Sequence, residues 1–250
     1  MKGPKPVEVA DLDPRLREGV CGCCGHSGPY ENAGRPVRED SRCLSCGASL
    51  RYRAQAEALS AVLGAKGTCL AGLVSAGRLD DMDIYEPGVA GPFRRLFRDL
   101  GRYRTSYFWP DVPPGQEHDG VRCEDLEALT LEDESFDLVI TSDIFEHVRR
   151  PWQAFREVNR VLRTGGHHVL TVPLSWPLAG RTVPRVDVRG TQDVHVLPPV
   201  YHRSPRDPAG SLVYNDFGMD LPDRLGAEGF RVTTHHGFRN AVTIVAERIA

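Results

Sequence analysis

Cysteine spacing constrains this chain more than any other feature of its sequence. Five of its seven cysteines fall within residues 21–46, where two Cys-x-x-Cys-Gly motifs, 21–25 and 43–47, are separated by about 18 residues. This spacing is typical of a four-cysteine zinc ribbon, in which four thiolates close a tetrahedral site and leave no position for water. The predicted metal is therefore a structural Zn²⁺. Its predicted ligands are Cys21, Cys24, Cys43 and Cys46.

Two alternatives to this ligand set stay open at the level of sequence. The four thiols would form two disulfides in an oxidising compartment, but a reducing cytosol disfavours that pairing. Cys23 is the spare cysteine of the first motif, and a ligand set that includes Cys23 or His26 is the second alternative. We interpret the remaining two, Cys69 and Cys123, as small buried apolar residues.

Composition places the chain among globular proteins and excludes several functions. A hydrophobic content of 40% over 250 residues is enough to fill a core. No apolar run approaches the roughly 18 residues that a membrane span requires, and the first ten residues lack the apolar segment of a secretory signal. We therefore expect a cytoplasmic protein without a membrane partner. The formal charge of -3 argues against extensive binding of nucleic acid.

Beyond the cysteines, apolar strands alternate with amphipathic helices. The spacing predicts a helix over 51–63 that leads out of the zinc module, and we place the domain boundary near residue 60. Residues 1–60 then form the zinc-ribbon module with its linking helix, and 61–250 form one α/β domain. Alternation of this kind predicts a doubly wound, mostly parallel sheet that is covered on both faces.

The predicted elements of the larger domain are separated by proline and glycine signals. Pro151 opens one predicted helix in its first turn, and Gly165 and Gly166 are predicted to end it. The predicted strands are 83–86, 103–109, 136–141, 168–172, 230–234 and 241–247, and the predicted helices are 93–100, 151–162 and 222–228.

Ligands of open α/β sheets bind beyond the carboxyl ends of the strands, so functional residues are expected at those positions. The first strand is followed by Glu86-Pro-Gly-Val-Ala-Gly91, a carboxylate with glycines that permit close approach of a ligand. The run VRCEDLEALTLEDESFDLVITSDIFEHVRRPWQAFREVNRVLRTGGHHVLTVP covers the third and fourth strands and the helix and strand that follow. On these residues the chain resembles the class I S-adenosylmethionine-dependent methyltransferases of type 11, from about residue 83 to 247.

The resemblance implies a Rossmann-like methyltransferase fold and a set of cofactor contacts. An acidic-Leu pair in such families contacts the adenine, which here is Asp125 with Leu126. The glycine turn passes the methionine part of the cofactor, whose ammonium also meets backbone after the fourth strand. The residues so implied are Glu86, Gly88 and Gly91 in the turn, and Ser142 and Asp143 after the strand.

The chain departs from the family pattern at two places. Ala90 and Pro92 replace part of the usual alternation of glycines after the acidic residue. The acidic residue that usually binds both ribose hydroxyls at the end of the second strand is missing. Tyr107 is our candidate for this contact, with Ser106 and Asp111 as alternatives.

The methyl acceptor is expected to bind the long insertion at 173–220. Methyl transfer needs mainly alignment, together with a base where the acceptor holds a proton. His195 and His202 are the candidate catalytic bases, because an imidazole with a pKa near 6.5 suits proton removal near neutrality. The alternative is that both are structural loop residues. We interpret His147 as structural or cofactor-lining.

Three functional hypotheses follow from these patterns. The first is an S-adenosylmethionine-dependent methyltransferase of a small molecule, in bacterial secondary or sugar-related metabolism. The second is a methyltransferase of RNA or protein that uses the zinc ribbon to deliver its substrate. The third is a methyltransferase fold that has lost catalysis and serves as a binding scaffold. The sequence names neither the acceptor nor the oligomeric state.

Overall fold

The computed structural model describes residues 19–174, 179–204, 207–237 and 241–249. The chain forms two compact units. One contains the cysteine motifs and runs to Leu79, with a second contribution from His235–Val242. The other comprises Asp80–Thr234 and the last residues from Thr243. The first unit thus extends past residue 60, where the sequence places the boundary.

The N-terminal unit is built from short strands and two helices. Strands β1 (Tyr30–Glu31) and β2 (Arg42–Cys43) pair antiparallel, and helices α1 (Leu50–Val62) and α2 (Leu70–Ser75) follow them. Helix α1 matches the predicted linking helix to within one residue at each end. Its Arg53 is buried, with the guanidinium carbon 3.7 Å from the centroid of the Tyr30 ring. That cation-π contact offsets part of the cost of burying the charge.

The larger unit is organised around one eight-stranded sheet. Its strand order is β15-β16-β8-β7-β3-β4-β6-β5. The five central strands, in the order β6-β4-β3-β7-β8, run parallel to one another. Strand β5 pairs antiparallel with β6, and β16 pairs antiparallel with β8. The strands are β3 (Ile84–Pro87), β4 (Tyr103–Tyr107), β5 (Glu117–His118), β6 (Val121–Cys123), β7 (Phe136–Ser142), β8 (Leu162–Thr171), β15 (Phe230–His236) and β16 (Val242–Arg248).

The strand order reverses between β3 and β7. From β3 the chain proceeds outward through β4 and β6, and then returns to the other side of β3 for β7 and β8. This is the switch point of a doubly wound sheet, beyond whose carboxyl edge ligands bind. The predicted fold class, a doubly wound, mostly parallel sheet with a small N-terminal module, is confirmed.

Three helices accompany the sheet of the larger unit. They are α3 (Pro92–Phe97), α4 (Pro151–Val161) and α5 (Leu221–Ala227). Pro92, a departure from the family pattern, occupies the first turn of α3, where a missing N–H costs no hydrogen bond. Within the described residues, no helix has the length and apolar content needed to cross a bilayer.

Strand β8 begins earlier than its apolar pattern predicts. Helix α4 ends at Val161 and β8 starts at Leu162, so the two glycines lie inside the strand and do not end the helix. The register with β7 shifts there, since Phe136 pairs with Leu162 but Leu138 pairs with His167. A Cβ on Gly166 would lie 2.8 Å from a backbone carbonyl oxygen, so this irregularity needs glycine.

The insertion after β8 contains three small antiparallel ladders. Strand β9 (Val183–Pro184) pairs with β14 (Asn215–Asp216), β10 (Val186–Asp187) with β11 (Val194–His195), and β12 (Tyr201–His202) with β13 (Ser211–Leu212). These ladders bring residues of the insertion to the turn that follows β7. The amide of Tyr214 donates to the carbonyl of Glu146 at 2.7 Å.

Candidate cofactor and metal sites

The four predicted zinc ligands lie together. The Cys21 and Cys46 sulfurs are 3.8 Å apart, and those of Cys24 and Cys43 are 3.6 Å apart. All four sulfurs lie within 4.8 Å of one another. Four sulfurs at Zn–S bonds of about 2.3 Å in a tetrahedron would be separated by about 3.8 Å. The residues present therefore fit a four-thiolate zinc ion.

Each cysteine motif closes a turn of the same form. The amide of Gly25 donates to the carbonyl of Cys21 at 2.8 Å, and the amide of Gly47 donates to that of Cys43 at 2.7 Å. Both glycines have positive φ, 78° and 73°, which residues with a side chain adopt only with strain. The glycine that follows each Cys-x-x-Cys pair is thus required by the backbone of the turn.

Cys23, the spare cysteine of the first motif, is not one of the four mutually close sulfurs, although its thiol adjoins those of Cys21 and Cys46. Cys23 is buried, and its sulfur lies 3.8 Å from the carbonyl oxygen of Tyr52 on α1. Helix α2 is tied to the same motif, because the amides of Leu70 and Ala71 donate to the carbonyls of Gly22 and Cys23. The motif is therefore held by the helices of its own unit as well as by any metal.

Every residue predicted to contact the cofactor lies at one edge of the sheet. Strands β3, β4, β6 and β7 are parallel, so their carboxyl ends meet at that edge. Each predicted residue ends one of these strands or follows it closely. They are Glu86 near the end of β3 with Gly88 and Gly91 after it, Tyr107 at the end of β4, Asp125 and Leu126 after β6, and Ser142 at the end of β7 with Asp143 after it.

The turn after β3 is tied to the neighbouring strand. The amide of Gly88 donates to the carbonyl of Ser106 at 2.7 Å, and the Thr105 hydroxyl donates to the carbonyl of Gly88 at 2.6 Å. Gly88 has a φ of 140°, and a Cβ there would meet only Ile144, at 3.9 Å. The turn thus leaves open space on its glycine side and lies against the segment that follows β7.

Glu86 is the buried carboxylate of this turn. The Tyr103 hydroxyl donates to its Oε2 at 2.5 Å. Burial raises the pKa of Glu86 to about 7, and the hydrogen bond from Tyr103 and the charge of Arg94 limit the rise. A group of this kind exchanges its proton near neutral pH and responds to a cation placed beside it.

This pKa predicts a pH dependence of folding. The native chain keeps the Glu86 proton up to about pH 7, whereas the unfolded chain releases it near the ordinary value of 4.5. The unfolded state then binds fewer protons, so the free energy of unfolding falls as the pH rises from about 4.5 to 7. Glu86→Gln should flatten that fall in urea titrations, while the exposed control Glu132→Gln should keep it. Equal slopes in wild type and Glu86→Gln would contradict the assignment.

Tyr107, at the end of β4, contacts the insertion, unlike Ser106 and Asp111, the two alternatives for the ribose contact. Its hydroxyl lies 3.0 Å from the Ser204 hydroxyl of the insertion. Ser106 is buried and hydrogen bonded to the Tyr85 hydroxyl at 2.6 Å, so it faces the core. Asp111 is exposed beyond the strand. Tyr107 therefore stays the candidate that faces the insertion.

The residues after β6 and β7 form tight turns. The Glu127 amide donates to Oδ1 of Asp125 at 2.9 Å, and Leu126 between them is buried. Asp143 has a φ of 53°, in the left-handed region that few residues with a side chain adopt, and its amide donates to the carbonyl of Thr171 at 3.0 Å. Strained backbone of this kind concentrates at functional sites.

A second cluster of ligating side chains lies beside Asp143. It comprises Glu146 and His147, in the 3₁₀ turn Phe145–His147, and His202 on β12. One nitrogen of each imidazole lies 3.6 Å from Oε1 of Glu146. Burial raises the pKa of this carboxyl, and the approach of His202 limits the rise. Glu146 is not among the residues predicted for the site, although it forms a Glu-His pair with His147 shortly after the fourth strand.

The two candidate catalytic histidines are separated by the structure. His202 belongs to the cluster with Glu146 and His147. His195 lies on the exposed hairpin of β10 and β11, paired in register with Val186, and is not a member of that cluster. Of the two candidate bases, His202 lies beside a buried carboxylate, and the role of His195 stays a prediction.

Part of the chain is similar to known methyltransferases. Residues 110–170 match the family model described as "Methyltransferase domain". An uncharacterized methyltransferase of Mycobacterium avium is 35% identical over 95 residues, which are 34% of this chain and 36% of that protein. One of Mycobacterium bovis BCG is 48% identical over 95 residues, with the same coverage. The chain thus spans about a third of the length of these relatives.

Solved structures include a similar chain, the S-adenosylmethionine dependent methyltransferase of Mesorhizobium loti. It is 19% identical with a TM-score of 0.43, and the match covers 67% of this chain and 91% of that one. The family match falls on β6, β7, α4 and β8, which flank or adjoin the switch point. Over residues 110–170 the resemblance to methyltransferases that the sequence indicates is thus borne out.

Proposed function

We propose that this protein is an S-adenosylmethionine-dependent methyltransferase that acts on a small-molecule acceptor. One observation supports the proposal above the others. The segment that matches the methyltransferase family supplies β7 and the turn after it, and this turn lies against the glycine turn of β3 at the switch point of the sheet. Both halves of a nucleotide-binding crevice are thus built from residues at the expected edge.

The residues at this edge fit the cofactor. Gly88 offers space that a side chain would fill, and Glu86 is a buried carboxylate that suits the ammonium of the methionine part. Asp125 would accept from the exocyclic amine of the adenine, through the oxygen not used by the Glu127 amide. Tyr107 would donate to the ribose. The cofactor itself supplies an electrophilic methyl group, so the protein has mainly to align the acceptor with it.

Glu86 would also release a proton when the cofactor binds. A cation beside the buried carboxyl favours its ionised form, and the pKa of about 7 leaves part of the population protonated near neutrality. This exchange would make cofactor affinity rise with pH up to that pKa. It is a property of this chain's own residue and needs no acceptor.

The small-molecule acceptor is supported by charge and by the insertion. The net charge of -3 gives no broad basic surface for an RNA backbone. The hydrogen bond between Tyr107 and Ser204 and the approach of His202 to Glu146 bring the insertion over the carboxyl edge of the sheet. An acceptor would therefore be enclosed between the insertion and the cofactor, with His202 near enough to take a proton.

Zinc completes the proposal as a structural ion. The four thiols of the N-terminal unit fit a tetrahedral site, and a reducing cytoplasm keeps such thiols available for metal. We therefore keep the cytoplasm as the proposed location. The ion would hold the two cysteine turns together and take no part in methyl transfer.

The activity can be tested with labelled cofactor. S-adenosylmethionine with a tritiated methyl group would be incubated with the protein and with pools of small hydroxyl and amine compounds, with total RNA, and with protein extract. The proposal predicts label in a small-molecule pool. Label confined to RNA or protein would overturn the acceptor class, and binding of the cofactor without transfer to any pool would favour a scaffold that has lost catalysis.

Replacing Asp125 tests the adenine contact. Asp125→Ala should weaken binding of S-adenosylhomocysteine by about 1–3 kcal/mol, because the adenine amine would lose its buried acceptor. Asp99→Ala is the matched control, since this aspartate is exposed at the end of α3. Titration calorimetry of both variants supplies the comparison. An unchanged dissociation constant for Asp125→Ala would exclude the predicted placement.

A further inference from the structure

The cluster that follows β7 has an arrangement that neither the cofactor site nor the zinc module explains. Glu146 and His147 are adjacent in a 3₁₀ turn, and His202 reaches them from β12 of the insertion. One ligating atom from each residue, a carboxylate oxygen and two imidazole nitrogens, lies within 4.8 Å of the others. Three donors at these separations enclose a volume of the size that one metal ion occupies.

The carboxylate of this cluster is buried and makes no hydrogen bond with the part of the chain that the structure describes. The side chain of Glu146 is 1% exposed, and neither of its oxygens makes a hydrogen bond of ordinary length with a residue that the structure describes. Burial of an ionised carboxylate is strongly unfavourable unless a cation or hydrogen-bond donors compensate for it. One nitrogen of each imidazole lies 3.6 Å from Oε1 of Glu146, a separation expected of atoms that bind the same cation.

His147 is oriented as a metal ligand would be. Its Nδ1 lies 2.8 Å from the carbonyl oxygen of Leu212, so Nδ1 carries the proton and donates it. Because Nδ1 carries the proton, Nε2 keeps its lone pair, and Nε2 is the nitrogen that lies near Glu146. A metal-binding histidine usually donates its other N–H to a carbonyl or carboxylate in this manner.

The donor set selects the kind of cation. Two imidazoles and one carboxylate suit divalent transition metals better than magnesium or calcium, which prefer oxygen ligands. Three protein ligands also leave coordination positions open for water or substrate. We propose that Glu146, His147 and His202 bind one divalent transition-metal cation, distinct from the zinc of the cysteine motifs.

The cation would serve the acceptor, an extension that rests on the proposed methyltransferase function. Ile144, two residues before Glu146, lies against the Gly88 turn, and Ser204, two residues after His202, is hydrogen bonded to Tyr107. The open positions would therefore face the predicted cofactor edge. The acceptor class that fits is a hydroxyl compound that chelates through two oxygens, such as a diol.

Coordination would prepare such a hydroxyl for methylation. A bound cation lowers the pKa of a coordinated hydroxyl, whose proton would leave to water. His202 would then act as a ligand of the cation and not as the base. The oxygen would then form a bond to the methyl carbon as the bond from that carbon to the cofactor's sulfur breaks, and S-adenosylhomocysteine would depart. No oxidant or reductant is required.

Cobalt provides the probe for the site itself. Co²⁺ would be titrated into the protein after loading with a single equivalent of zinc, which fills the four-cysteine site, and binding would be followed by calorimetry and by visible absorption. The expected result is one Co²⁺ per chain with d–d bands and without a thiolate-to-cobalt charge-transfer band. Absence of Co²⁺ binding, or a thiolate band that accounts for all of it, would overturn the proposal.

Variants assign the ligands. Glu146→Gln, which keeps the shape of the side chain, and His202→Ala, at a partly exposed position, should each weaken Co²⁺ binding by at least about tenfold. The exposed His118→Ala on β5 is the control and should bind as wild type does. Wild-type affinity for Co²⁺ in a folded Glu146→Gln or a folded His202→Ala variant would overturn the site. Two variants are used so that one can be read if the other folds poorly.

A third measurement separates this proposal from the proposed function. Catechol, a chelating diol, should change the visible spectrum of the Co²⁺ protein, and His118→Ala should respond as wild type does. Binding of Co²⁺ without a response to catechol would overturn the acceptor class and leave the cation site standing. Failure to bind S-adenosylhomocysteine would overturn the methyltransferase function without affecting the Co²⁺ titration.

Discussion

Replacement of Cys43 with serine is expected to abolish zinc binding and to unfold the segment of the N-terminal unit that carries the cysteine motifs. The four sulfurs of the cysteine motifs lie within 4.8 Å of one another, and the strands beside them are only two residues long. Binding of structural zinc contributes about 10–16 kcal/mol in small zinc modules, far more than such strands supply. Loss of one thiolate should therefore cost most of the ordered structure around β1 and β2.

Metal content and amide hydrogen exchange would measure this loss. Wild-type protein should contain zinc in the four-cysteine site, and Cys43→Ser should lack that zinc and lose exchange protection across residues 21–48. Cys69→Ser is the matched control, because Cys69 precedes α2 as its N-cap, where serine is favoured. Unchanged zinc content and protection in Cys43→Ser would contradict a metal-bound module and would favour a unit stabilised by its apolar contacts alone.

Truncation of Phe155 to alanine should produce the largest loss of stability within the larger unit. Phe155 is fully buried on α4, and its ring stacks on that of Phe145 with centroids 3.9 Å apart. Removal of a buried phenylalanine ring costs about 3–5 kcal/mol through lost burial and the cavity left behind. Phe145 begins the turn that holds Glu146 and His147, so the same change should loosen that turn.

Urea unfolding and Co²⁺ titration would test both effects. Phe155→Ala should unfold at a markedly lower urea concentration and bind Co²⁺ more weakly. Phe108→Ala is the control, because this side chain is 50% exposed and its loss should change stability by no more than about 0.5 kcal/mol. Similar unfolding midpoints for the two variants would contradict the packing described here.

Features that depend on local spacing were predictable from the sequence. The cysteine motifs, helix α1 and the strand β7 are specified by residues close in the chain, and each was placed to within a residue or two. The alternation of strands and helices also sufficed to predict a mostly parallel sheet. These features share a cause, since periodic apolar residues and glycine turns act over a few positions.

Features that depend on distant contacts were not predictable in the same way. The cluster of Glu146, His147 and His202 joins residues more than 50 positions apart, and the ladders of the insertion that bring them together have strands of two residues. Such strands leave no periodicity to recognise. The early start of β8 likewise depends on the close approach of Gly166 to backbone on β7, which no local pattern records.

Titration of S-adenosylhomocysteine into the wild-type, zinc-loaded protein tests the central claim most directly. The crevice between Glu86, Gly88 and Asp143 should bind one molecule per chain, with saturable heat and with competition by S-adenosylmethionine. Repeating the titration in buffers of different ionisation enthalpy near pH 7 should reveal a proton released by Glu86, because its pKa of about 7 would fall beside the ammonium of the ligand. Absence of binding at millimolar ligand would contradict the assignment of this sheet edge as a cofactor site and, with it, the proposed methyltransferase function.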